Sequence, residues 1–398
     1  MRRAAAVLPL LALAFAAPAA PGAEPIVAGE AWAITSKVLG EERNVVVSTP
    51  RGYERGGERY PVLYLTDGNA HLLHTRGTVD FLVRNGLMPD LLIVAIANTD
   101  RTRDLTPTRG FGQRLDGAPV PVESGGGPRF LDFVEKELVP FVEAKYRTAP
   151  FRLFAGHSLG GLLALEALVE RPGLFGASIA ASPALAWDHD VILGKVADFL
   201  SGRKELRHAI YVTMADEEKG DAAPTRFDRL CRTLKKAKAE GFSWGAKRME
   251  DEDHGSVVLR SHYDGLRFVF EGWRLPRDPR TRAFPGTPAD ARKHWAKLSE
   301  RLGWEVVPPE GVLNQLGYLR LQAKDVEGAL EWFRWNADLH PESANTHDSL
   351  GEALEAAGRT REALASYGRA VELATKSADP LLPAFTRNRD RLAAAGPS

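Results

Sequence analysis

From about residue 31 to residue 283, short apolar runs alternate with longer stretches in which apolar side chains return every three or four positions. "AWAITSKVLGEERNVVVSTPRGY" reads as two strands joined at Gly40, the second ending at Pro50. "YPVLYL" and "DLLIVAIAN" are nearly continuous apolar runs, which suits strands buried on both faces of a mostly parallel sheet. They stop at Thr66-Asp67-Gly68 and at Asn98. Segments 79–85 and 128–146 read as helices; in the second, Phe130, Phe133, Leu138, Phe141 and Val142 share roughly one face. Strand 152–155, helix 160–170, strands 177–181 and 209–214, helix 225–240 and strand 244–249 continue the alternation. This order predicts an α/β fold, a three-layer sandwich around a mostly parallel sheet, with its chemistry at the carboxyl ends of the strands.

From about Phe284 the pattern is helical only. Leu316 and Leu350, Gly317 and Gly351, Ala329 and Ala363, and Phe333 and Tyr367 correspond at an offset of 34, with Pro341 closing the first unit. That is the tetratricopeptide period. The expected organisation is a leader over 1–23, an α/β unit over 24–283, and a helical region over 284–398 with two repeats at about 310–343 and 344–377. Two repeats fall short of the three or so that such arrays need, so they must lean on flanking helices or on the α/β unit.

Composition adds three constraints. Hydrophobic residues at 44% and charged residues at 26% describe a chain that buries a core and is not disordered. Lys plus Arg and Asp plus Glu each number 52, and this balance gives no reason to expect nucleic acid as a partner. "MRRAAAVLPLLALAFAAPAAPGAEP" has the arginines, apolar stretch and small residues of a secretory signal peptide, and its apolar run is too short to span a bilayer. Cys231 is the single cysteine, which excludes an intramolecular disulfide and a cysteine metal cluster.

The chemistry concentrates at Gly156-His157-Ser158-Leu159-Gly160, which satisfies G-x-S-x-G between a predicted strand and a predicted helix. On such a turn Ser158 is lifted clear of the sheet, and the following helix points its first amides at developing negative charge. A serine alcohol needs a base. His254 in "MEDEDHGSVVL" follows a late strand and fits; His71, His74, His157, His189, His262, His340 and His347 fit less well by position. The acid should follow the intervening strand in "HAIYVTMADEEKG", where Asp216, Glu217 and Glu218 are all available. Two backbone amides, of Leu159 and of Asn69 in "TDGNAH", are the candidates for the oxyanion hole.

"YPVLYLTDGNAH", "IANTDRTRDLTPT", "FLDFVEKELVPFVEAKYRT", "GHSLGG", "ASPALAWD" and "EDHGSVV", in this order, resemble the esterase family of α/β-hydrolases. That family includes periplasmic siderophore esterases, feruloyl esterases, S-formylglutathione hydrolases and mycolyl transferases, and the likeness is greatest to a subgroup with C-terminal tetratricopeptide-like repeats. The resemblance implies Ser158 as nucleophile, His254 as base, and Leu159 and Asn69 as oxyanion donors. The Ala215-Asp216 step favours Glu217 as the acid, although some siderophore esterases resemble a Ser-His dyad. Arg101, Arg103 and Asp104 belong to a family signature that orders the loop over the site, and Trp187 stands where it would flank the cleft.

The expectation is a periplasmic or secreted serine hydrolase that cleaves small-molecule carboxylic esters through an acyl-enzyme, without metal or organic cofactor. An acyltransferase would use the same residues. An interaction module, with the repeats holding a protein partner or a second copy, is the alternative from another class.

Overall fold

The computed structural model describes residues 26–55, 57–113, 119–217, 225–281 and 283–395, with ten strands and fourteen α-helices among them; the predicted leader over 1–23 lies outside these residues. In chain order the α/β part runs β1 (Glu30–Ser36), β2 (Glu41–Ser48), β3 (Tyr60–Leu65), α1 (Gly68–Arg84), β4 (Leu92–Ile96), α2 (Arg101–Leu105), β5 (Phe111–Gln113), β6 (Pro119–Pro121), α3 (Gly127–Phe133) and α4 (Val139–Lys145). It continues with β7 (Thr148–His157), α5 (Leu159–Glu170), β8 (Ala177–Ala181), α6 (Val191–Leu200), β9 (Glu205–Ala215), α7 (Arg226–Lys236), β10 (Glu240–Met249) and α8 (Val257–Val269). Eight strands form one sheet in the order β1-β2-β4-β3-β7-β8-β9-β10, and β5 and β6 form a separate hairpin. The β1/β2 and β2/β4 pairs are antiparallel and the others parallel.

The period of two along each strand sorts side chains into two cores. Val62 and Tyr64 of β3 join Val94, Phe154 and Ile210 on the face covered by α3 to α7. Leu63 and Leu65 join Ile93, Leu153 and Ile179 on the face covered by α1 and α8. Both faces being covered is why β3 and β4 carry unbroken apolar runs.

Local structure departs from the sequence pattern at several points: the helix expected over 225–240 ends at Lys236 and Glu240 already opens β10, and the short helix α2 was not expected. Helix α1 begins at Gly68, eleven residues before the predicted start, because His71, His74 and Thr75 put polar groups on its packed side and interrupt the apolar period. Between α3 and α4 the predicted long helix carries a π-helical turn, Val134–Leu138. The turn aims Glu137 at the β1/β2 hairpin, where its carboxylate accepts hydrogen bonds from the Lys37 and Val38 amides at 2.9 and 3.1 Å. Helix α6 lies outside the predicted elements although its buried Ile192, Leu193, Val196 and Leu200 recur at helical spacing, whereas the three-residue strands β5 and β6 are too short to show a period.

The rest is helical: α9 (Pro288–Leu302), α10 (Glu310–Gln322), α11 (Val326–Leu339), α12 (Ala344–Ala356), α13 (Thr360–Lys376) and α14 (Leu382–Ala395). The starts of α10 and α12, and of α11 and α13, are 34 residues apart. The repeated glycine-aromatic pair has a packing reason. A Cβ on Gly317 would come within 2.6 Å of the Phe333 ring, and one on Gly351 within 2.6 Å of Tyr367.

This region shares its core with the sheet. Trp295, Leu298, Trp304, Leu313, Trp332 and Trp335 belong to the same buried cluster as Leu63, Phe151 and Phe270. Trp304 meets Phe151 edge-on at 5.6 Å, and Arg301 donates to the carbonyl oxygens of Val269 and Glu271. Phe151 lies near the start of β7 and Ser158 just past its end, about 23 Å away at ~3.3 Å per strand residue. The helices therefore brace the rim of the sheet opposite Ser158. Among the described residues no helix is long and apolar enough to cross a membrane.

Candidate active site

Ser158 joins β7 to α5 with φ 59° and ψ −113°, a strained conformation for a residue with a side chain. Its neighbours leave no room for a relaxed alternative. A Cβ on Gly156 would lie 2.3 Å from the Gly160 carbonyl, and one on Gly160 would lie 2.3 Å from Thr66 Oγ1. The turn is fixed by the Ser158 amide donating to the Ala181 carbonyl at 2.9 Å, and by the Ser158 carbonyl accepting from Leu162 and Ala184 at 2.9 and 3.0 Å.

His254 lies between β10 and α8 in a loop that its own acids shape. Asp253 accepts from the Gly255 and Ser256 amides, both at 2.8 Å, and Arg260 pairs with Asp251 and Glu252. The Glu217 carboxylate reaches His254 Nδ1 at 2.8 Å. Asp216, next to it, instead donates its backbone amide to the Glu252 carbonyl at 3.0 Å, tying the two loops together. Glu218 lies outside the described residues. The His254 ring also lies 4.5 Å from the ring of His157, which brings it to the neighbour of Ser158.

Two helix N-termini converge on the same corner. Leu159 is the first residue of α5 and Asn69 the second of α1, positions whose amides have no partner within their helix. Asp67, with φ 54°, makes the sharp entry into α1, and a Cβ on Gly68 would meet the Ala95 carbonyl carbon at 2.5 Å. These helix starts are clamped by Arg101. Its Nε and Nη2 donate to the Asp67 carboxylate at 2.6 and 3.2 Å, and Nη2 donates also to the His157 carbonyl at 3.0 Å. Asn98 adds a third donor to Asp67 at 2.6 Å. Burial alone would raise the Asp67 carboxyl, but Arg101 and Asn98 more than offset it and hold it below the ordinary carboxylate value.

The resemblance gives Arg101 only an ordering role over the site; its bonds to Asp67 and the elbow emerge from the fold, and the Asp-Gly step closing a buried strand is the sequence signal for them. Arg103 and Asp104 do order the loop: Asp104 pairs with the buried Arg43 at 2.5 Å, and Arg103 bridges Asp104 and Glu41. Trp187 packs on Gly110 and donates to the Thr108 carbonyl at 3.2 Å, three residues on from Ala184, whose amide bonds the Ser158 carbonyl. Among the described residues no group of three His, Cys, Asp or Glu is arranged to hold a metal ion.

The chain is similar to the siderophore enterobactin esterase of Emericella nidulans, at 31% identity over 63% of this chain and 96% of the relative. It is similar to the ferri-bacillibactin esterase BesA of Bacillus subtilis, at 34% identity over 53% of this chain and 78% of the relative. Among solved structures, an IroE-like serine hydrolase from Shewanella oneidensis superposes with a TM-score of 0.65 at 29% identity, covering 78% of this chain and 99% of the other. Residues 36–246, more than half of the chain, match the sequence family described as "Putative esterase", so the chain belongs to that family and is a carboxylic ester hydrolase with the α/β-hydrolase fold.

Proposed function

We propose that the protein is an exported serine esterase working through an acyl-enzyme, with Ser158 as nucleophile, His254 as general base and acid, and Glu217 as the group that orients His254. The observation that carries this reading is the strained elbow at Ser158 with the Glu217–His254 pair brought to it at the carboxyl end of the sheet. His254 Nε2 takes the Ser158 proton as Oγ attacks the ester carbonyl, and returns it to the leaving alcohol; water then repeats the cycle on the acyl-enzyme. Glu217 holds Nδ1 protonated and favours the imidazolium that forms in each half-reaction. The Leu159 and Asn69 amides receive the oxyanion, and Arg101, paired with Asp67 and bonded to the His157 carbonyl, holds the two helix starts that present them.

The substrate we propose is a small ester or lactone of the siderophore type, because both curated relatives named above are siderophore esterases. The order of charged, apolar and small residues over 1–23 supports export to the periplasm or medium. The division at about residue 283 and the tetratricopeptide-like character of α10 to α13 belong to the same proposal, supported by the 34-residue offset.

Ser158→Ala tests the core of it. Turnover of a short-chain p-nitrophenyl ester and labelling by a fluorophosphonate probe should both vanish while the circular dichroism spectrum is unchanged; retained labelling would refute the assignment. A panel of acetyl, feruloyl, siderophore-lactone and thioester substrates, with and without an acceptor alcohol, then separates hydrolysis from acyl transfer and ranks the acyl groups.

A further inference from the structure

Five of the ten histidines stand in one row running inward from the elbow. His254 and His157 have ring centres 4.5 Å apart, His157 and His71 5.9 Å, and His71 and His74 5.2 Å; His74 stacks on the buried His262 at 5.4 Å. The catalytic scheme uses the backbone carbonyl of His157, through Arg101, and leaves its ring without a task.

A task exists. The side chain of His254 is 46% exposed, and the Glu217 side chain that holds it is 32% exposed. One hydrogen bond between two partly solvated side chains is a weak restraint, and a base that swings away from the nucleophile loses rate steeply. The His157 ring lies tilted against the His254 ring. We propose that His157 is a positioning residue for His254: its flat, uncharged ring is the wall against which the base is aligned toward Ser158, with His71 bracing it from behind. This rests on the Ser158–His254–Glu217 reading.

The wall has to stay uncharged, because His254 becomes a cation in both half-reactions. The groups facing His157 are His254 from the loop after β10, His71 and Asp67 from α1 and its entry, and Arg101 of α2 on the carbonyl. Burial first, then the charge of His254, push the His157 imidazole down to about 4, against a partial pull from Asp67. The ring is therefore neutral at and around neutral pH.

The full-length protein tests this with two variants. His157→Ala removes the wall; His157→Phe keeps a flat uncharged ring. For a p-nitrophenyl ester, kcat of His157→Ala should fall about tenfold or more with KM within about twofold, while His157→Phe stays within about threefold of the parent. The downfield proton resonance of the His254 Nδ1–H bound to Glu217 should disappear in the first variant and persist in the second. Parental kcat in His157→Ala, or His157→Phe as impaired as His157→Ala, overturns the proposal. If His157→Ala does not fold, His157→Asn, polar but ringless, carries the same expectation. Ser158→Ala and His254→Ala are measured alongside. Activity in either defeats the triad reading, whereas two dead variants beside an unimpaired His157→Ala defeat only the positioning role.

Discussion

Glu217 meets His254 Nδ1 at 2.8 Å on a loop that is itself fastened to the His254 loop through the Asp216 amide and the Glu252 carbonyl at 3.0 Å. The proposed acid and base are thus set by backbone as well as by charge. Glu217→Ala should lower kcat by about 10- to 100-fold with little change in KM, less than the ~10⁴-fold seen when a buried triad acid is neutralised, because this pair is partly in water. Steady-state kinetics at a pH near 8 check this, and an unchanged kcat would show that Ser158 and His254 act as a dyad.

Glycines divide by what surrounds them. Gly156→Ala drives a methyl into the Gly160 carbonyl and should destabilise by about 1–3 kcal/mol or prevent folding, with activity lost in any soluble fraction. Gly77→Ala in α1 and Gly194→Ala in α6 meet nothing within 4 Å and should be stabilising by about 0.5–1 kcal/mol. Urea midpoints compare the two classes, and equal effects would contradict the packing described for the elbow.

Acid should destabilise the fold earlier than carboxylate protonation alone would. Burial pushes His157 and His208 down to about 4 and His262 well below its ordinary value of 6.5. Above about 6.5 each is neutral in both folded and unfolded chains and has no effect on stability. As pH falls from there toward 4 the unfolded chain takes up the protons first, so stability declines by about 1.4 kcal/mol per pH unit for each such histidine, and the decline ends below the folded value. Urea unfolding at pH 7, 6 and 5 should show this loss, and His208→Gln, replacing a ring bonded to Phe175 and Ser178, should make it shallower. Equal stability at pH 7 and pH 5 would rule it out.

Trp332 of α11 is 1% exposed in the core that also holds Leu63 and Phe270. Trp332→Ala should therefore cost about 3–5 kcal/mol and lower a single thermal transition for the whole chain. At low temperature kcat should change by less than about twofold, since the damage lies at the rim opposite Ser158. Two separate transitions, or a Tm within a degree of the parent, would show that the helical region does not brace the sheet.

Local pattern was enough to expose the alternating α/β plan, the strand-turn-helix around Ser158 and the 34-residue repeat, because each is written in periods and spacings that a short window contains. The position of His254 after a late strand was legible for the same reason. Tertiary structure decided the rest. Asp216, Glu217 and Glu218 are equivalent as chemistry, and the course of the chain after β9, pinned by Asp216 to Glu252, is what turns Glu217 toward His254. Arg101 found its partners 34 and 56 residues away, at Asp67 and His157, which the sheet order places side by side and no local period records. The polar face of α1 and the apolar faces of the C-terminal helices were ambiguous alone, and each acquired its meaning from the surface opposite: a row of histidines in one case, the sheet's second core in the other.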